Sequence, residues 1–537
     1  MFCSDRIGFM YKNCIRFLLF ALFVPAAVLF PLKLAAEDFT SLHINFDAAL
    51  SENNVSGAGS DRSFVSEGWK YTGIMNTDLH GEYDDLRFNL RFGLRATNDK
   101  RSDYIPLSLT NAQGFIENKE HKLILGDVFE VFSRYSLSSS LKGANYRYEK
   151  KGLPAVSLIG GRAYPRWESW WKDPDAVTLK REVYGANIKH QILDDFNFGI
   201  SYLQSSDSDP AFQTETLYSN KVLAAVADYK PLPGLTLTGE TALSSTDLKN
   251  GAAASEAGQA YRFEAVGDQD PSRVVLEYER VSPDFESLVG SAVRDRESAG
   301  GSWRYKATGD VTVNTSMKWH RNSLDSKALR TNTYRPAAGV NIRRLGGRRY
   351  SNLDLKLKMD YRDAPSRVSS DWFASADYRD RIGLYDMDAG LGFSSYNAGK
   401  KDSDQLDTTA RFSVSTRRTV GDMVLNPALS ASAGYVDDDQ ADIIRKVYEY
   451  SASLGLSLPE KNLSSNLRIG QNFMRAPDAD ADAVYVSAQV NYSPRCMRGG
   501  RLYLKFSLND YSYQATGNDY TERIVTAGLN LPLDYRW

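Results

Sequence analysis

From Ala527 to Trp537 the chain alternates without a break between apolar and polar residues. Leu529, Leu531, Leu533, Tyr535 and Trp537 fall on one face of an extended strand, and Gly528, Asn530, Pro532, Asp534 and Arg536 on the other. Leu86 to Ala96 repeats the pattern, with Leu86, Phe88, Leu90, Phe92 and Leu94 opposing Arg87, Asn89, Arg91, Gly93 and Arg95. It returns around Val311–His320, Leu353–Tyr361, Tyr448–Ser457 and Leu502–Asn509. Each stretch is close to the roughly 9 to 11 residues that a tilted strand needs to cross a bilayer. A soluble sandwich could bury one such face, but the pattern recurs too often for a sandwich of ordinary size. Between the strands, turns such as Pro231–Gly234 and Thr419–Asp422 alternate with longer loops such as Tyr164–Lys180 and Ser282–Ala299. These features predict an all-β, transmembrane, antiparallel up-and-down β-barrel. It has about 26 strands (24–28), short periplasmic turns and long external loops.

Composition narrows the class further. Charged residues make up 25% of the chain but cancel to a net charge of −2, so no strong field points to nucleic acid as a partner. A mean hydropathy of −0.42 excludes a bundle of transmembrane helices and is compatible with a barrel, because half of each strand faces water. The one apolar run, Phe17–Phe30, follows Arg6, Lys12 and Arg16 and precedes Leu34-Ala35-Ala36. That order reads as a signal peptide over 1–36, leaving 37–537 as the barrel. Cys3 and Cys14 fall in the leader, so Cys496 stands alone in the mature chain and no internal disulfide is expected.

The C-terminal alternation, ending on Trp537, resembles the assembly-signal strand of bacterial outer-membrane β-barrels. The resemblance implies a Gram-negative outer-membrane location, contact with lipid and lipopolysaccharide, and recognition of Leu529, Leu531, Leu533, Tyr535 and Trp537 by the barrel-assembly machinery. Leu125-Gly126-Asp127-Val128, Tyr135-Ser136-Leu137 and Leu141-Lys142-Gly143-Ala144 are similar to segments of large predicted outer-membrane barrels. The size and strand count also resemble the barrels of porin–cytochrome conduits, although the N-terminal Cys-x-x-Cys of some of those barrels is missing. The implied role is a porin-like channel for solutes or a polymer; the alternative is a structural sheath around a periplasmic or multihaem cytochrome partner. Neither reading is enzymatic, and an outer-membrane enzyme ranks third.

Candidate chemistry lies on the lumen face and in the loops. Arg87, Arg91 and Arg95 form a basic stripe, while Glu277, Glu279, Asp354, Lys356, Lys358 and Asp360 give the predicted lumen wall both signs of charge. Trp167, Trp170 and Trp171 crowd one external loop, where they could stack on a ligand, anchor the loop at the membrane surface or fold inward as a plug. The loop carrying Pro283, Phe285, Leu288 and Val293 is apolar enough to enter the lumen. Asp437, Asp438 and Asp439, with Asp478, Asp480 and Asp482, are weak candidates for divalent-cation ligands. No catalytic, haem-attachment or phosphate-binding motif is present, so no cofactor is expected. Pro532 cannot donate to a ladder, which predicts a defect where the closing strand meets the first strand near Leu42–Leu50.

Overall fold

The computed structural model describes residues 40–536 apart from 164–165, 171–179, 209–215, 250–254, 398, 400–403, 440–442, 478–479 and 516. The leader (1–36), Trp171, Asp478 and Trp537 therefore lie outside the described residues, as does the side chain of Trp170.

Among the described residues there are 27 extended segments. Asp404–Thr416 and Arg418–Val420 lie end to end against Met423–Asp438 and form one wall strand, so 27 − 1 gives 26. Each strand pairs antiparallel with its neighbours in sequence. The first, Thr40–Ser56, pairs with the last, Tyr520–Arg536, from Ser41↔Arg536 to Ser56↔Thr521. Pairing of the first strand with the last closes the sheet into a barrel, which is what permits it to stand in hydrocarbon.

The register decides which way each side chain faces. Leu276, Trp303, Met317, Leu355, Leu357, Trp372, Leu391, Leu429, Leu467, Ile469 and Leu504 are all exposed, and all share the outer face. Leaving such side chains in water costs about 1.5–3 kcal/mol each relative to burial, so a belt of them requires an apolar solvent. The opposite face is rich in Ser, Asn, Asp, Glu, Lys and Arg and encloses the lumen. At the seam, Leu42, Ile44, Phe46, Ala48, Met75 and Leu79 pack with Phe88, Phe92, Leu94 and, from the closing strand, Leu533.

Three places test the sequence pattern locally. Arg362–Ser369 reads as a long loop, yet Arg362↔Ser369 and Ala364↔Arg367 pair, leaving only residues 365–366 to turn the chain. Ser493–Gly500 remains an eight-residue connection on the opposite rim, between Tyr492 and Arg501. At the seam, register runs through Asn45↔Pro532 without a shift, so the first strand meets no break there. On its other side the ladder ends at Arg501↔Asn530, before the proline is reached, so the missing donor meets no continuing strand there.

Candidate functional site in the lumen

Two loops of the rim opposite the termini fold inward and meet. One, residues 130–139, joins His121–Phe129 to Ser140–Tyr148; the other, 282–295, joins Ser272–Val281 to Arg296–Lys306. Together they form a strap against the inner wall of the strands between Lys180 and Val281. Tyr135 and Phe285, fully buried, meet edge to face with ring centroids 5.7 Å apart. The wall accommodates them because its inward positions there are small, with Val222, Ala224, Ala242, Ala260 and Val281 in one cluster with both rings. A second cluster joins Phe132, Leu137 and Val289 of the strap to Val183 and Leu203 of the wall.

Polar contacts fix the strap's position. Tyr135 donates its backbone N–H to Glu240 at 3.2 Å and its hydroxyl to Glu279 at 3.1 Å. The Arg134 guanidinium lies 2.9 Å from Glu279. Ser136 bonds Ser201 at 3.0 Å, Asn220 donates to the Glu286 carbonyl at 2.9 Å, and Arg181, ion-paired to buried Asp207 at 2.7 Å, donates to the Leu288 carbonyl at 2.9 Å. Burial first, and then the Glu279 carboxylate, push the Tyr135 hydroxyl far above the ordinary phenol range, so it remains a donor. Sequence reasoning missed Glu240, Arg134, Tyr135 and Arg181; the available signal was the run of small inward residues on consecutive strands.

The basic stripe is not free charge. Arg91 pairs with Asp78 at 2.8 Å, Arg87 with Glu117 at 3.1 Å, and Arg95 lies 3.8 Å from Asp103. Glu277 and Glu279 share the inward face and are also engaged, Glu277 by Lys318 at 3.3 Å and Glu279 by the strap. Asp360 is held by Arg335 at 2.7 Å and Arg362 at 3.1 Å, and Asp354 accepts from Asn341 at 3.1 Å. Lys356 and Lys358 lie on the same inner face, exposed to the lumen, and Lys358 lies 5.9 Å from the centre of the Phe373 ring.

In the loops, Trp167 donates to Asp127 at 2.9 Å and has Lys142 5.0 Å from its ring centre, while neighbouring Glu168 accepts the Leu109 N–H at 2.6 Å. That N–H lies at the bulge beside Gly93–Leu94, so the loop is docked by the irregularity in the wall. Among the acidic candidates, Asp437 and Asp438 belong to a strand, with Asp439 just beyond, and Asp437 accepts the Tyr435 hydroxyl at 3.0 Å. Arg475 lies 3.8 Å from Asp480 and is hydrogen-bonded to Asp482, which supplies these carboxylates with a cation. Among the described residues no three potential ligands converge on a metal-sized site. Leu529, Leu531, Leu533 and Tyr535 share the outer face of the closing strand.

No family model and no curated protein matches this chain. Among solved structures it is similar to the P pilus usher PapC translocation pore, with 11% identity, 91% of this chain and 99% of that one covered, and a TM-score of 0.39. The outer-membrane transporter YddB from Escherichia coli aligns over 92% of this chain and 81% of its own at 6% identity and a TM-score of 0.44. OpdK of Pseudomonas aeruginosa, solved with vanillate, covers 92% and 99% at 10% identity and a TM-score of 0.29. The fold and its two faces define a large transmembrane β-barrel of the outer-membrane type. No narrower family is identified.

Proposed function

We propose that this protein is a passive channel of the bacterial outer membrane. In this reading it is exported with a cleaved leader, inserted by the barrel-assembly machinery and seated among lipid and lipopolysaccharide. It passes solutes or a polymer without catalysis. The observation that carries the reading is the inner wall beyond the strap, where Arg304, Lys356, Lys358 and Phe373 are exposed inside a closed barrel whose outer face is apolar. Polar groups in contact with water, walled off from lipid, are what a hydrated path requires.

The test is purification from native membranes in mild detergent, identification of whatever remains bound, and reconstitution into planar bilayers. Stepwise conductance from the barrel alone is the expected result. A persistently sealed barrel that retains a stoichiometric periplasmic or multihaem protein would overturn the proposal in favour of a structural sheath.

A further inference from the structure

Resting on the channel reading, we propose that the inner wall carries a binding trough for small organic anions, those with a carboxylate joined to a flat apolar portion. The trough lies across Arg296–Lys306, Val311–Asn322, Thr331–Arg343 and Asn352–Ala364. One register row crosses these four strands as Arg304↔Asn314, Asn314↔Gly339 and Gly339↔Lys356. The next row, toward the strap, places Ser316, Ala337 and Lys358 side by side. Small residues thus form the floor, with Arg304 on one side and Lys356 and Lys358 on the other, three strand spacings or roughly 14–15 Å away. The space above this floor is a cavity of about 480 Å³, within the range of roughly 300–1,000 Å³ occupied by small-molecule sites.

The electrostatics set this trough apart from the rest of the lumen. Among the described residues Arg304, Lys356 and Lys358 have no carboxylate within ion-pairing distance, whereas Arg87, Arg91, Lys318 and Arg335 each do. Of the nearest acids among the described residues, Asp360 is held by Arg335 and Arg362, Asp354 accepts only from the neutral amides of Asn341 and Asn352, and Asp371 lies on the same face two residues from Phe373. Among the described residues Arg304, Lys356 and Lys358 outnumber the two carboxylates nearby that lack an ion pair, Asp354 and Asp371, so the small-residue basin keeps a net positive charge that attracts an anion. Phe373 supplies the apolar contact. It pairs in register with Lys358, faces the lumen and is 40% exposed, so a flat group can lie against it while its carboxylate meets the lysines.

The probe is benzoate, with acetate as its counterpart lacking the ring. Saturation-transfer NMR on the full barrel in detergent reads binding without requiring conductance, and interruption of single-channel current in planar bilayers reads occupancy of the path. Expected results are saturable benzoate binding, weaker acetate binding and concentration-dependent current block. The Lys356→Gln/Lys358→Gln double variant should weaken both benzoate readouts about fivefold, the scale of one solvent-accessible ionic contact. Phe373→Ala should remove the preference for benzoate over acetate, and Arg91→Gln, whose charge is already met by Asp78, should leave binding unchanged. Benzoate binding that is absent, or identical in the double variant, overturns the trough. Binding without conductance overturns the channel reading and leaves the trough standing; conductance without binding does the reverse.

Discussion

Asp103 sits at the barrel rim, 6% exposed, and receives Arg166 Nη2 on both carboxylate oxygens at 2.6 Å, the Ile105 N–H at 3.0 Å and the Ser108 hydroxyl at 2.9 Å. Burial by itself pushes this carboxyl up, but the hydrogen bonds and the Arg166 charge outweigh it and hold the group below its ordinary value. A carboxyl depressed in the folded state contributes stability that is complete above its unfolded pKa of about 3.9 and is lost as pH falls through the lower folded value. The 98–106 loop and the segment carrying Arg166 and Trp167 should therefore stay docked at pH 5 and separate only under stronger acid. In Asp103→Asn the Arg166 guanidinium loses its two-oxygen partner at every pH and, among the described residues, keeps only the more distant Glu168 carboxylate, 3.8 Å away. Hydrogen exchange corrected for intrinsic rates should show the loop unprotected in this variant already at pH 7, where the parent is protected; equal protection in both would remove Asp103 from this role.

At the scale of elements, strand faces were legible because period-two alternation is a local property that lipid on one side and water on the other both enforce. Leu353–Tyr361 shows this: every residue in the stretch has the facing that its polarity predicts. The strap was legible only in part. Phe285 and Leu288 mark their loop as apolar, but Tyr135 reads as an ordinary loop tyrosine until the register brings Ala224, Ala242 and Ala260 beneath it. The stripe of Arg87, Arg91 and Arg95 misled for a related reason, since Asp78, Glu117 and Asp103 come from neighbouring segments that a single-strand reading does not bring alongside. Gly258 makes the element-level dependence testable. A Cβ there would sit 2.1 Å from the Phe285 backbone nitrogen, whereas at Gly239 on the adjacent strand it would meet nothing within 4 Å. Gly258→Ala should dislodge the 282–295 loop and open it to limited proteolysis in the intact barrel, and Gly239→Ala should not. Equal resistance in both variants would show that the loop does not rely on this close approach.

For the whole molecule the question is whether wall and strap are separable. Wall pairing between Ser272–Val281 and Arg296–Lys306 is complete from Ser272↔Tyr305 to Val281↔Arg296 and uses no strap residue. The wall side chains that strap removal would uncover are mostly small, and at about 25 cal/mol per Å² of apolar surface their exposure costs little against 26 laddered strands. Replacing Asp284–Val293 with a short Gly-Ser linker should therefore leave a folded, closed barrel. Tyr135 would lose Phe285, and its own loop, deprived of the Val289 and Ser291 backbone contacts to Ser138 and Arg134, would be freed as well. In planar bilayers the excised protein should conduct more per channel than the parent, with circular dichroism and heat-modifiable electrophoretic mobility unchanged. A barrel that fails to close would make the strap part of the wall's stability. An intact barrel of unchanged conductance would place the narrowest point elsewhere in the lumen.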